Sequence, residues 1–214
     1  MVGTAPGPVP FPRRPPPCRS LPRRPLARRS PEPGDEVRLW YEKVLGWPTA
    51  PGLPVRLAVG ERFDVLDLPA EAGHAALERL GRAGRGFPVA VQGSRMRLLV
   101  AAGSAEELPG LLDWLEWGSL ELDLAAIGAG GLMDAPRPPG GDVPAARPLP
   151  PGHGHGGSQG AAVWLRPPEP GCEVEASLPT LSAMGGRDGA PDLVRLVNTV
   201  VTQVHRVRLR RVCA

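Results

Sequence analysis

From Asp35 onward, apolar positions recur at spacings that switch between helical and extended periods. In DEVRLWYEKVLG, the apolar residues Val37, Trp40, Tyr41, Val44 and Leu45 follow an acidic start and precede Gly46, which predicts a short amphipathic helix with a stop signal. PVRLAV (54–59) and RFDVLDL (62–68) predict strands on either side of a turn at Gly60-Glu61. Pro69 suits a first helical turn, and AEAGHAALERLGRAG (70–84) continues at helical spacing. FPVAVQ (87–92) and RMRLLVA (95–101) flank Gly93-Ser94 and predict a hairpin. SAEELPGLLDWLEWG (104–118) predicts a helix with Ser104 as N-cap and Glu107 three residues on, the spacing of a capping box. Pro109 lies deeper than the first turn and marks either a kink or a later start.

LELDLAAIG (120–128), GLMDAP (131–136) and AAVWLRP (161–167) predict further strands. The chain closes on PDLVRLVNTVVTQVHRVRLRRV (191–212). There Leu193, Leu196, Val197, Val200, Val201 and Val204 recur at helical spacing and arginines crowd the C-terminal end, where the helix dipole favours cations. Helices interleaved with strands give an α/β (α+β) expectation, a mixed sheet covered by helices. The expected organisation is a disordered Pro/Arg-rich arm over 1–34 and a single domain over 35–212, with a flexible Pro/Gly/His linker at 136–160.

Charge sharpens that division. Residues 1–34 carry seven Arg against Glu32, whereas residues 35–134 carry nine basic and fifteen acidic side chains. The excess positive charge therefore belongs to the ends, and an acidic body argues against a large nucleic-acid footprint, which requires Lys and Arg to neutralise phosphates. Cys18, Cys172 and Cys213 are odd in number and widely separated, which fits neither a disulfide framework nor a zinc spacing. No stretch approaches the roughly 20 apolar residues that span a bilayer. The expectation is a cytoplasmic chain with no membrane partner.

Three aspartates offer chemistry. FDVLDLP places Asp64 and Asp67 on one apolar strand, and LELDL places Asp123 on another. Apolar strands seldom bury an unpaired carboxylate. Aspartates that converge at strand ends suit Mg²⁺ or Mn²⁺, with Asp64, Asp67 and Asp123 as the metal ligands. The structural alternative has Asp67 capping the next helix while Asp64 and Asp123 face solvent. His153 and His155 in GHGHGG lack further ligands at metal spacing, and His74 and His205 stand singly on predicted helices. The five tryptophans are expected to be principal core pieces.

The succession of motifs resembles the bifunctional primase–polymerase domain family. In that family a helix ending in a G-W-P turn leads to a strand V-L-D-x-D, a Gly-containing turn and helix, and a hairpin carrying His. A strand D-L/I-R, Gly-Gly, Pro-Pro and a Trp-bearing strand follow. This chain has LGWP (45–48), VLDLPAEAG (65–73), GSRMRLLV (93–100), LDLAAIGAGG (122–131), APRPP (135–139) and VWLRPP (163–168). The resemblance implies a primase–polymerase-like fold, Asp67 and Asp123 as catalytic carboxylates, and a nucleotide or nucleic-acid partner. The departures imply a degenerate member. Leu68-Pro69 stands where the second acid belongs, and Met96 and Arg97 stand in place of the phosphate-contacting His, leaving Arg97 as the residue to meet a phosphate. Two alternatives stay open. One is an active polymerase in which Asp64 replaces the missing ligand; the other is a non-enzymatic module that contacts a protein partner through the arm and the basic C-terminal helix.

Overall fold

The sequence FDVLDLP, apolar except at its two aspartates, forms the strand to which most of the sheet is keyed. The computed structural model describes Gly3 and residues 34–139, 160–171, 174–181 and 192–213. The strands are β1 (Thr49–Ala50), β2 (Arg56–Ala58), β3 (Phe63–Pro69), β4 (Val89–Gln92), β5 (Arg95–Ala101), β6 (Ala125–Ile127), β7 (Leu132–Asp134) and β8 (Val163–Arg166). The α-helices are α1 (Asp35–Leu39), α2 (Ala70–Leu80), α3 (Ser104–Trp114) and α4 (Leu193–Val212). Every one of these elements lies in the second of the two units into which the chain divides, residues 31–214. The expected arm over 1–34 lies, apart from Gly3 and Gly34, outside the described residues, as do His153, His155, Cys18 and Cys172.

β3 pairs with β5 over seven positions, from Phe63↔Ala101 to Pro69↔Arg95, and takes β6 on its other side. The larger sheet runs β6-β3-β5-β4-β8, and the smaller one β1-β2-β7. From β3 to β6 the chain follows a β-α-β-β-α-β order in which the fourth, first, third and second strands lie side by side. This is the split β-α-β arrangement of ferredoxin-like folds. The α/β class is as expected, and the strand directions are more uniform than a mixed sheet. Each helical crossover joins strands of like direction, but a third strand is inserted between them, so every adjacent pair is antiparallel.

Alternation along the strands divides two apolar layers. Leu66, Leu68, Met96, Leu98 and Val100 face α2, α3 and α4, including the buried stripe Leu193, Leu196, Val197, Val200, Val201, Val204 and Val207. That stripe overrides the low helix preference of its valines. α2 approaches closely at Gly73, where a Cβ would stand 2.2 Å from Met96 Sδ. On the opposite face Phe63, Val65, Ala90 and Leu99 meet Tyr41, Trp47, Leu57 and Met133. Tyr41 donates to the Pro136 carbonyl at 2.6 Å and accepts from Trp164 Nε1 at 3.0 Å.

Several local expectations change. α1 continues as a π-helical turn over Trp40–Leu45 before Gly46. Ser104 is not an N-cap: Gly103, at φ 90, takes that position, and no side chain of the helix caps it. Pro109 sits inside α3 on its exposed side without ending it. The strand expected over 120–128 shrinks to Ala125–Ile127, because Pro69 has no N–H to offer the chain beyond Asp67↔Ala125. Of the tryptophans, Trp47 is buried, whereas Trp114 is 71% exposed and no core piece. His205 is half-buried beside Trp117, and His74 is exposed. Among the described residues no helix is long and apolar enough to cross a membrane.

Candidate functional site

Asp67 is the centre of an ion-pair cluster at the Pro69 end of β3. Across the ladder its register partner is Arg97, and Arg95 lies diagonally opposite. Residues two apart on a strand share a face, so the R-M-R sequence presents both guanidinium groups to Asp67 while Met96 enters the helix-side core. Arg95 Nε donates to Asp67 Oδ1 at 2.5 Å, and Arg97 Nε donates to Asp67 Oδ2 at 3.0 Å. The Asp67 and Arg97 side chains are each only 13% exposed.

Asp123 joins from the other side. It stands in the loop that enters β6, not in a strand, and Arg95 Nη1 donates to its Oδ1 at 2.5 Å. Arg95 therefore spans both carboxylates, with the Asp67 contact the more enclosed and Asp123 about half exposed. Burial pulls the Arg95 guanidinium down, but hydrogen bonds and charge from Asp123 and Asp67 outweigh it and hold its pKa above the ordinary value. The cluster extends through Arg97 Nη1 to Gln92 Oε1 at 2.7 Å, and from Gln92 Nε2 to Asp134 Oδ2 at 2.7 Å.

Asp64 does not belong to this cluster. It is three residues from Asp67 on the same strand and so projects from the opposite face. There it is buried, and its Oδ2 accepts from the Ala105 N–H at 2.8 Å in the first turn of α3. Its Oδ1 has no hydrogen-bond partner. A carboxylate at a helix N-terminus satisfies an otherwise orphaned donor and meets the positive end of the dipole. Asp64 thus takes over for α3 the capping role expected of Ser104.

The three aspartates therefore divide into a bridged pair, Asp67 and Asp123, and a helix-capping residue, Asp64. Of the structural alternative only one part holds: Asp123 is exposed, whereas Asp67 caps no helix and Asp64 does not face solvent. The donor set does not fit a resident two-metal centre: two acids are present and both oxygens of Asp67 are taken by arginine. Among the described residues no group of three or more His, Cys, Asp or Glu is placed to hold a metal ion. Sequence reading singled out Arg97 but missed Arg95, Gln92 and Asp134. The alternation R-M-R gave Arg95 the same face as Arg97, but only the strand order shows which acids lie beside it.

Searches of family models, curated proteins and solved structures find no match to this chain, so the primase–polymerase resemblance rests on motif order.

Proposed function

We propose that this is a primase–polymerase-like domain without nucleotidyl transfer that binds a nucleoside triphosphate weakly at Arg95, Arg97, Asp67 and Asp123, in the presence of Mg²⁺ or Mn²⁺. The observation that carries the reading is the single guanidinium shared by Asp67 and Asp123. Phosphate and carboxylate compete for the same planar fork of arginine donors. When Arg95 and Arg97 turn to phosphate, Asp67 and Asp123 lose their counter-charge. A nucleotide carrying a divalent cation tolerates that, and a bare nucleotide does not. Transfer chemistry is not expected, because Leu68-Pro69 stands where the second acid of the family's pair belongs and Asp64 lies across the sheet.

Calorimetric titration of the full chain with dATP tests this, with and without MnCl₂. The expected result is binding only when both are present, lost in Asp67→Asn and in Asp123→Asn, with no primer extension. Absence of binding under all conditions overturns the reading, and primer extension shows that catalysis survives.

A second reading, a non-enzymatic interaction module, is favoured by the end of α4. Arg206, Arg208, Arg210 and Arg211 are exposed there together with Leu209 and Val212. Arg208 and Arg210 are tied to Glu121 and Glu71, which leaves Arg206 and Arg211 as the charges to reverse. Arg206→Glu with Arg211→Glu should abolish capture of a protein partner while the nucleotide titration stays unchanged; retained capture removes this reading.

A further inference from the structure

The polar chain that begins at Asp123 ends at Asp134, and Asp134 opens into a separate cavity of about 380 Å³ between β7 and the edge of the larger sheet. This volume lies within the range of small-molecule pockets. Val37, Pro54, Val55 and Ala162 supply apolar walls, and Gln92 and Asp134 supply the polar end. Both ends of the Gln92 amide are already used, the oxygen by Arg97 and the nitrogen by Asp134 Oδ2. Asp134 Oδ1 makes no hydrogen bond among the described residues, and Asp134 is the one charged side chain in the described lining.

Neither of the cations on the adjoining elements β2 and α1 pairs with it. Arg56, the cross-strand partner of Asp134, is exposed and forms no ion pair with it. Arg38 donates to the Ala50 and Gly52 carbonyls. The cavity thus offers a fixed carboxylate acceptor, held in orientation by Gln92, at the end of an apolar chamber.

We propose that this cavity binds a small amine, with its ammonium group on Asp134 Oδ1 and a compact saturated body against Val37, Pro54, Val55 and Ala162. The inference is independent of nucleotide binding at the Asp67 cluster. An ammonium meets the unpaired oxygen with a charge-assisted hydrogen bond, whereas an alcohol forms only a neutral one and a carboxylate is repelled. Shape alone does not distinguish these three, so charge is the discriminating property.

The test is an NMR titration of the full chain that follows the Gln92 side-chain amide. The probes are cyclohexylamine, cyclohexanol and cyclohexanecarboxylate. Cyclohexylamine should shift that resonance saturably, and the other two should leave it in place. Asp134→Asn, which keeps an acceptor for Gln92, should weaken amine binding by about tenfold or more. Ala161→Phe, at an exposed lining position, should block it with Asp134 intact. An equal response to cyclohexanol, persistence of the shift in Asp134→Asn, or no saturable shift in the unaltered chain overturns the proposal.

Discussion

Asp64 and Asp67 stand three residues apart on β3 with their carboxylates on opposite faces of the sheet, one against the first turn of α3 and the other between two arginines. Identical side chains on one strand therefore do unlike work. Asp64→Ala removes an acceptor from a buried helix terminus and should cost about 1–3 kcal/mol in urea denaturation. Nucleotide titration of the same variant should be unchanged, because Asp64 touches none of the arginines.

Arg95 ties two acids that would otherwise repel each other. Arg95→Ala should lower stability by about 2–3 kcal/mol, below the cost of breaking a wholly buried pair because the Asp123 half is exposed to screening. Arg95→Lys should recover little of this, since an ammonium cannot present two separated donors to two carboxylates. Chemical denaturation of both variants checks the ordering. The raised guanidinium pKa confines its own titration to strongly alkaline conditions, so it adds no pH dependence near neutrality.

Tyr41 is the one tyrosine of the chain, so its ionisation can be followed without interference. Burial pushes its phenol well above the ordinary value, opposed by the weaker effect of the Trp164 hydrogen bond. The unfolded chain releases this proton near pH ~10 and the folded chain retains it, so the folded state binds more protons and stability falls as pH rises past that point. Near-UV absorbance should show no tyrosinate until the chain unfolds. Tyr41→Phe should remove this alkaline sensitivity while losing about 1–2 kcal/mol at neutral pH through the Pro136 and Trp164 bonds.

Glu116 closes α3 at φ 65, a left-handed conformation that costs a residue with a Cβ about 1–2 kcal/mol. Glu116→Gly should raise stability by about 0.5–1 kcal/mol after the larger chain entropy of glycine is subtracted. Thermal unfolding of the two chains measures the difference.

What was legible in the sequence was what depends on near neighbours. β3, the turn at Gly93-Ser94, β5 and α4 lie close to where apolar spacing put them, because each presents a continuous face to one layer. Asp123 was misplaced into a strand because LELDL alternates well, and the alternation says nothing of Pro69 on the neighbouring strand. Ser104 had the spacing of a cap, but the backbone turns at Gly103 and a carboxylate from 41 positions away does the capping. The Arg95 bridge depends on β5 lying beside β3 and on Asp123 returning to the same end. Those are facts of strand order, which residue spacing does not encode.

Among the described residues β8 pairs along one side only, and its indole reaches Tyr41 from 123 positions along the chain. Joining such distant positions requires a long loop to close first, so this strand is expected to dock late in folding and to peel away early. Its departure strips the phenol of its donor and uncovers the Trp47 and Phe63 rings beside it. The aromatic layer is thus covered by an edge strand, and amide exchange should begin early at residues 163–166.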